Sequence, residues 1–280
     1  MHNYQFFMIQ DSEFKAQCNQ SDFMFRRHCI VAEILKITDY VVFLDADMAV
    51  VNPQRLLESF INPKFDITFY DRFVNWEIAA GSYIVKNSPW AIDFLKRFAD
   101  FEKELPDSFH GTDNGALHAF WQREFYPELS EKSKICYKIW KKSTGFDDLF
   151  TYEACIRSII GDNHVFVKAR ILQKGTSWVR DIWLSNSQWS MERDFMLHGL
   201  KEIHKIDNEN EKEKDPSLFV WKSPLLSPIN LELCDDPDMI WDFDKDLIVE
   251  KEVVEKDLSE KFLEVERRKW RSTGRIANFL

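Results

Sequence analysis

Residues 40–53 read YVVFLDADMAVVNP, an apolar run that ends directly at two aspartates one residue apart. The first five residues are aromatic, β-branched or leucine, a composition typical of a strand covered on both faces in a parallel sheet. We therefore expect residues 40–44 to form a central strand of a mainly parallel sheet. Asp45 and Asp47 would then lie at its carboxyl end, where open α/β sheets bind ligands.

The spacing of Asp45 and Asp47 suits a divalent cation. Two side chains at i and i+2 on an extended segment share a face, and a hard dication between them and a diphosphate relieves their repulsion. The alternative is an acidic turn at a strand end, which is a common structure. The apolar strand before the pair and the V-x-N-P sequence after it make the metal site the more specific interpretation.

Strand and helix patterns alternate along the chain up to about residue 205, which predicts an α/β fold with one main domain over residues 1–206. Asp22 is suited to cap a helix, and Pro89 to begin one. The patterns predict strands at 4–9, 65–69 and 79–85 and helices at 22–37, 52–60, 89–105, 115–123 and 152–160.

Residues 207–280 differ in character and are expected to form a charged linker and a helical extension. Residues 207–215 are a charge run without any apolar residue, which is typical of a solvated linker or loop. A charged helix is predicted at about 246–270, and its narrow apolar stripe consists of Val249, Val253, Leu258, Phe262 and Val265.

The composition is that of a folded globular protein, with 45% hydrophobic and 30% charged residues among 280. The net charge of −10 argues against a nucleic-acid binder, because such proteins need clustered cations facing the phosphates. The 10 Trp and 24 Phe residues are suited to stacking on sugar rings or to an aromatic-rich core, and the sequence leaves both open.

Five widely separated cysteines, without a C-x-x-C pair, argue against a zinc site. The odd number permits up to two disulfides with one remaining thiol, or five thiols in a reducing compartment. The first 14 residues lack the features of a signal peptide, and no apolar run reaches about 18 residues, so the sequence predicts neither a targeting segment nor a membrane anchor.

A second motif, DFMLHGLK at residues 194–201, contains a possible third metal ligand. His198 could complete a set of two carboxylates and one imidazole, which suits a first-row cation. Gly199 would allow the backbone to approach a phosphate, and Lys201 would pair with its charge. A lone histidine near an apolar patch is more often structural. The case for His198 as a metal ligand therefore depends on its combination with the D-x-D.

Three further segments carry polar groups. In HGTDNG, at 110–115, Asp113 or Asn114 could face a sugar or simply begin a helix. In NWEIAAG, at 75–81, the small residues permit close approach of a ligand but also suit tight packing. WVRD, at 178–181, adds a cation and a carboxylate beside an aromatic ring.

Taken in their order along the chain, over roughly residues 4–205, these segments resemble a nematode-expanded family of uncharacterised nucleotide-diphospho-sugar transferases. That family is similar to fungal galactosyl- and mannosyltransferases and plant xylosyltransferases. Their GT-A fold is a single Rossmann-like α/β domain with a D-x-D and a late histidine ligand. The resemblance implies transfer of a hexose, with retention of configuration, from a UDP- or GDP-linked donor to a hydroxyl of a glycan or glycoprotein in the Golgi lumen.

The resemblance also implies a role for particular residues. Asp113, with Asn114 beside it, would face the sugar near the reacting carbon as the catalytic group. The other implied roles are Mn²⁺ binding by Asp45, Asp47 and His198, diphosphate binding by Gly199 and Lys201, and contact with the donor sugar by Asn75, Glu77 and Gly81.

The chain departs from the family pattern at its start. Only 44 residues precede Asp45, so the first β-α unit of a GT-A domain and the usual membrane anchor are expected to be missing. A catalytically inactive GT-A-like fragment that binds carbohydrate or a partner protein is therefore the alternative function. A metal-dependent phosphohydrolase ranks last, because no second D-x-D-like pair follows a strand of this kind.

Overall fold

The protein, in this computed structural model, is described for residues 2–206, 219–233 and 241–279. The predicted charge run at 207–215 and Cys234 lie outside these residues. The helices are α1 (Phe23–Leu35), α2 (Pro89–Asp100), α3 (Thr112–Phe125), α4 (Ser130–Trp140), α5 (Phe146–Ile160) and α6 (Lys251–Gly274). The strands are β1 (Tyr40–Leu44), β2 (Met48–Val50), β3 (Ile67–Tyr70), β4 (Ser82–Lys86), β5 (Ala169–Leu172), β6 (Val179–Asp181) and β7 (Met196–His198).

Residue contacts divide the chain into two units, each built from separate segments. Unit 1 consists of Met1–Phe6, Asp45–Ile61 and Ser177–Glu264, and unit 2 of Phe7–Leu44, Asn62–Thr176 and Val265–Leu280. The expected boundary after residue 206 stays a prediction, because the residues that follow it directly are not described.

The sheet of unit 2 is mixed, with the strand order β1-β4-β3-β5. β1 and β3 each pair antiparallel with β4, and β3 pairs parallel with β5. The expectation of a central strand in a mainly parallel sheet is therefore wrong for β1, which lies at the edge of this sheet as far as it is described. An apolar run indicates which faces of a strand are covered but not which strand lies beside it, and all five residues of β1 are only half-buried.

Local signals placed several helices of unit 2 correctly. The Asp22 side chain accepts a hydrogen bond from the Met24 N–H at 2.8 Å, which caps α1. The Ser88 hydroxyl accepts one from the Ala91 N–H at 3.1 Å, and Pro89 is the first residue of α2. The apolar face of α2 is buried in the aromatic core of this unit.

Two disulfides join elements of unit 2. Cys18 is bonded to Cys29 in α1, and Cys136 of α4 is bonded to Cys155 of α5. Of the alternatives that the sequence left open, the structure therefore contains the pair of disulfides. The second bond fixes α4 to α5 in the middle of both helices.

Unit 1 contains a three-stranded sheet with the order β2-β7-β6. β2 and β7 are antiparallel, with Met48 opposite His198, and β6 and β7 are parallel, with Asp181 opposite His198. Its apolar core consists of Val51, Ile182, Trp189, Leu197, Trp221 and Leu247. His198 is thus paired on both sides by residues of this small sheet.

Two N-terminal expectations are wrong. Residues 4–9 form no strand, and Phe6 and Met8 are 82% and 86% exposed, because this apolar run has no strand partner among the described residues. The helix expected at 52–60 is reduced to a short 3₁₀ turn at Leu57–Phe60, because Leu56 is extended, with φ −108° and ψ 143°, and interrupts the helix.

The C-terminal helix is present but begins at Lys251, five residues later than expected. Its buried stripe consists of Val254, Leu258 and Val265, whereas Val253 and Phe262 are about two-fifths exposed. In the part of the chain that the structure covers, no helix combines the length and the apolar character needed to cross a membrane.

Candidate metal and donor site

The D-x-D segment forms a tight turn that leads from Leu44 into β2. The carbonyl oxygen of Asp45 accepts a hydrogen bond from the Met48 N–H at 3.2 Å, which closes the turn. Asp45 and Asp47 are both half-buried, and Ala46 between them is exposed. The turn keeps Asp47 next to the first residue of β2 and hence next to the residue that pairs with it.

That residue is His198, the last of β7. Because Met48 and His198 are opposite each other, the imidazole lies beside Asp47, and its Nε2 is 3.4 Å from Asp47 Oδ1. The proximity expected from the sequence is therefore confirmed across about 150 residues of chain. Whether the two residues bind a metal stays a prediction.

Asp181, the last residue of β6, holds the other side of the same ring. Its Oδ1 lies 2.5 Å from His198 Nδ1, and its side chain is 6% exposed. A carboxylate at this nitrogen fixes the tautomer that leaves Nε2 for a metal, an arrangement common at metal-binding histidines. Sequence reasoning noted Asp181 only as a carboxylate in WVRD, because the parallel register of β6 and β7 has no local signal.

Charges around Asp47 keep it ionised. Burial acts to raise the pKa of Asp47, but the hydrogen bond and charge of His198 and the charge of Lys201 outweigh it and lower the pKa below its usual value. Lys201 Nζ lies 3.9 Å from Asp47 Oδ2, and its side chain is 60% exposed. Lys201 is therefore placed to meet an anion that approaches Asp47 from solvent.

Gly199 positions Asp47 through the backbone. The N–H groups of Gly199 and Leu200 both donate to the Asp47 carbonyl at 3.0 Å. Gly199 has φ +91°, and a Cβ at this position would lie 1.9 Å from a ring carbon of Trp183. A glycine is thus required here for conformation and packing, whereas its predicted part in phosphate binding stays a prediction.

The pair of Asp47 and His198 fits one cation. With metal–ligand bonds of about 2.1 Å, donor atoms 3.4 Å apart subtend an angle of about 108°, which neighbouring ligands of a single cation can adopt. Asp181 contacts Nδ1, on the other side of the imidazole ring, and therefore does not face a cation held between Nε2 and Asp47. Among the residues described, no cluster of three or more His, Cys, Asp or Glu side chains could hold a metal. A cation here would complete its coordination with oxygens of a ligand.

A buried ion pair supports the loop between β6 and β7. Arg180 donates to both carboxylate oxygens of Asp194, from Nε and Nη2, at 2.9 Å each. The Ser190 N–H also donates to Asp194 at 3.0 Å. Burial acts to raise the pKa of Asp194, but Arg180 outweighs this and lowers it. This pair holds the strands that carry Asp181 and His198.

Asp113, the predicted catalytic group, is fully buried in unit 2. Its Oδ2 accepts from Arg27 Nη2 at 2.5 Å and lies 3.0 Å from His28 Nε2, while Oδ1 accepts from the Thr112 hydroxyl. Burial acts to raise the pKa of Asp113, but His28 and Arg27 lower it further than burial raises it. The structure therefore gives Asp113 a structural role, as the alternative interpretation of HGTDNG allowed, through contacts with Arg27 and His28 that the sequence did not predict. Its action on a sugar stays a prediction.

Asn114 links the two predicted sugar-side segments. Its side-chain oxygen accepts the Ala80 N–H at 3.2 Å, so HGTDNG and NWEIAAG lie together. Its carbonyl lies 2.9 Å from Nδ1 of His118, whose Nε2 faces the Ile78 N–H at 3.4 Å. Burial lowers the pKa of His118 to about 4, so this histidine is neutral.

Asn75 and Glu77 are also buried and contact each other. The Asn75 amide donates to Glu77 Oε2 at 2.5 Å, and Arg72 Nη1 is 3.2 Å from the same oxygen. Burial, and then the charge of Glu77, raise the pKa of the fully buried Glu153 well above its usual value, so Glu153 is protonated. Gly81 is buried directly before β4. Contact of these groups with a donor sugar stays a prediction.

The family comparison covers most of the chain. The model of a family described as "Protein of unknown function, DUF273" matches residues 1–214. The chain belongs to the DUF273 family. The DUF273 match includes Asp47, Asp181 and His198. No curated protein and no solved structure matches the chain.

Proposed function

We propose that this DUF273 chain is a metal-dependent glycosyltransferase that moves a hexose from a nucleotide-sugar donor to a hydroxyl of a glycan or glycoprotein. The observation that carries the proposal is the Asp47–His198–Asp181 arrangement at the ends of β2, β7 and β6. The Asp47 carboxylate and the His198 imidazole, which Asp181 orients, are 3.4 Å apart, a distance that two ligands of one cation can adopt. The order of motifs in the sequence supports a GT-A-like fold and retention of configuration.

In this proposal the residues of unit 1 bind the donor's diphosphate. Asp47 and His198 hold Mn²⁺ or another divalent cation, and the family resemblance adds Asp45 as a further ligand, although the described residues form no cluster of three. Asp181 accepts the Nδ1 proton of His198, so that a cation can replace the proton that Nε2 donates to Asp47. Lys201 pairs with a phosphate oxygen, and Gly199 fixes the backbone beside it. The cation supplies neutralisation of the charge that develops on the leaving nucleotide.

The proposed sugar-side residues lie in the HGTDNG and NWEIAAG segments. Asp113 and Asn114 act at the reacting carbon, and Asn75, Glu77 and Gly81 contact the donor sugar. The carboxylate and amide groups of these segments are of the kinds that pair with sugar hydroxyls.

The two disulfides support a location in the secretory pathway, and the resemblance narrows this to the Golgi lumen. Disulfides persist in oxidising compartments and are rare where glutathione keeps thiols reduced.

The alternative is a catalytically inactive fold that binds carbohydrate or a partner protein. One observation favours it: the Asp113 carboxylate is fully buried, and both of its oxygens accept hydrogen bonds from the protein. A catalytic carboxylate would have to exchange one of these partners for the substrate.

Nucleotide release from a panel of UDP- and GDP-hexoses, with Mn²⁺ or with a chelator, tests the proposal. Release should require the cation and should be lost in Asp47→Ala and His198→Ala, because each removes a ligand of the cation. Asp246→Asn, at an exposed position of unit 1, is the matched control. Circular dichroism verifies that each variant is folded.

Activity retained in either ligand variant would contradict the assignment of the cation site. No Mn²⁺-dependent nucleotide binding by the folded wild-type chain would leave the inactive binding module as the better function.

A further inference from the structure

A basic pocket lies in unit 2 and shares no residue with the Asp47–His198 arrangement. Its volume is about 520 Å³, within the range of ordinary ligand sites. The charged groups of this basic pocket are Arg123, Lys134, Lys138, Lys141, Lys142 and Glu104.

The charge of the basic pocket is opposite to that of the chain. Five cations and one carboxylate give a lining charge of +4, from five minus one, whereas the chain has a net charge of −10. The single carboxylate, Glu104, forms an ion pair with Arg123. Lys134 forms an exposed ion pair with Glu131, outside the lining. The pocket therefore attracts an anion even though the protein as a whole repels one.

Helix geometry spaces the lysines evenly. Lys134 and Lys138 lie in α4, and Lys141 directly follows the helix with helical backbone angles. Because they are at i, i+4 and i+7, they share one face, and the second and third lysines lie about 6 Å and 10 Å from the first along the helix axis. All three are exposed. They present a short row of point charges, which suits a ligand with repeated anionic groups better than a single ion.

α4 is fixed to the rest of unit 2. Cys136 is bonded to Cys155, and the ring of Trp140 stacks on Tyr152 with centroids 4.8 Å apart. The row of lysines therefore projects from a helix held by a covalent bond and by core packing, which reduces the ordering cost of binding.

The aromatic residues of the basic pocket argue against base stacking. Trp140 is 3% exposed, and the guanidinium of Arg123 lies over the Tyr137 ring at 5.4 Å. Single-stranded nucleic acids bind through exposed aromatic faces, which these two rings do not offer. A saccharide with sulfate or carboxylate groups needs only the cations and a shallow wall.

We propose that the basic pocket binds an anionic saccharide, sulfated or rich in uronic acid, as part of the acceptor glycan. The choice of a saccharide as the ligand rests on the transferase function proposed above. The charge and shape of the basic pocket are observed independently of that function, and they favour an anionic ligand.

Calorimetry with a heparin hexasaccharide, without metal or donor, tests this inference. Binding should weaken as salt is added. It should fall about tenfold in a triple variant, Lys134→Gln, Lys138→Gln and Lys141→Gln, which removes three charge contacts. The matched control, Lys64→Gln, Lys245→Gln and Lys256→Gln, changes exposed lysines elsewhere and gives the same net charge, −10 minus 3, or −13. The control should bind as the wild type does.

Three results would overturn the inference: no binding of the hexasaccharide, equal weakening in both triple variants, or equally tight binding of a polyglutamate or an oligonucleotide of the same charge. Neutral dextran should not bind. Asp47→Ala should bind the hexasaccharide normally while it loses Mn²⁺-dependent nucleotide binding, so failure of the transferase proposal and failure of this one are distinguishable.

Discussion

Replacement of Asp181 by asparagine alters the proposed metal arrangement without touching a proposed metal ligand. The carboxylate can only accept a hydrogen bond from His198 Nδ1, whereas an amide can also donate one. A donated hydrogen bond would move the ring proton to Nε2, the atom that lies 3.4 Å from Asp47. A protonated Nε2 cannot bind a cation, so Asp181→Asn should weaken Mn²⁺ binding.

The contacts of Asp181 set the size of the effect. The Asp181–His198 contact is 2.5 Å long, and the carboxylate is almost fully buried, so solvent cannot replace it easily. Loss of such an orienting partner weakens metal binding by about 10- to 100-fold, or roughly 1.4–2.7 kcal/mol. We expect the lower part of this range if the amide oxygen keeps facing Nδ1.

Free Mn²⁺ measured by electron paramagnetic resonance, with UDP present, gives the affinity. The nitrogen chemical shifts of His198 report its tautomer independently of activity. Asp246→Asn removes the same charge from an exposed position and should leave both readings unchanged. If Asp181→Asn binds Mn²⁺ as tightly as the wild type, Asp181 does not orient a metal ligand.

Gly199→Ala should lower the free energy of unfolding by roughly 2–5 kcal/mol in denaturant titrations, because it strains a backbone at φ +91° and displaces the Trp183 ring. In the control, Gly274→Ala, the added Cβ meets nothing within 4 Å, so the free energy of unfolding should not fall. Glu153→Gln should become more stable relative to the wild type as pH rises above about 5. Above about pH 4.5 the unfolded chain releases the Glu153 proton, whereas the folded chain keeps it because the pKa of Glu153 is raised. The free energy of unfolding of the wild type therefore falls by about 1.4 kcal/mol per pH unit. Parallel pH curves for the two proteins would contradict this. Removal of the Cys136–Cys155 bond by a double serine substitution should cost about 3 kcal/mol for a 19-residue separation, and unchanged thermal melting would show that the bond does not constrain the unfolded chain.

The parts of the fold that the sequence predicted correctly depend on neighbouring residues. Ser88 and Pro89 begin α2 through contacts within one turn, and Asp22 caps α1 in the same way. The neighbours of β1 could not be predicted, because its apolar residues are compatible with a central parallel strand and with the observed antiparallel edge. The general rule for parallel sheets therefore does not place a ligand at Asp45, and the proposal depends on side-chain geometry instead.

The candidate site was predictable only in part for a similar reason. The pairing of Asp47 with His198 followed from the order of motifs and a family resemblance. Asp181 contacts His198 because two strands adopt a particular parallel register, and no spacing in the WVRD segment reveals that register. The burial of Asp113 depends on Arg27 and His28, more than 80 residues earlier.

The position of His198 between β2 and β6 also suggests an order of folding. Asp181 and His198 are 17 residues apart, from 198 minus 181, whereas Met48 and His198 are 150 apart. Because loop-closure entropy grows with the logarithm of loop length, joining β2 to β7 costs about 2 kcal/mol more than joining β6 to β7. The chain is therefore expected to orient His198 first and to bring Asp47 beside it late. A cation bound by both residues would stabilise only the completed sheet.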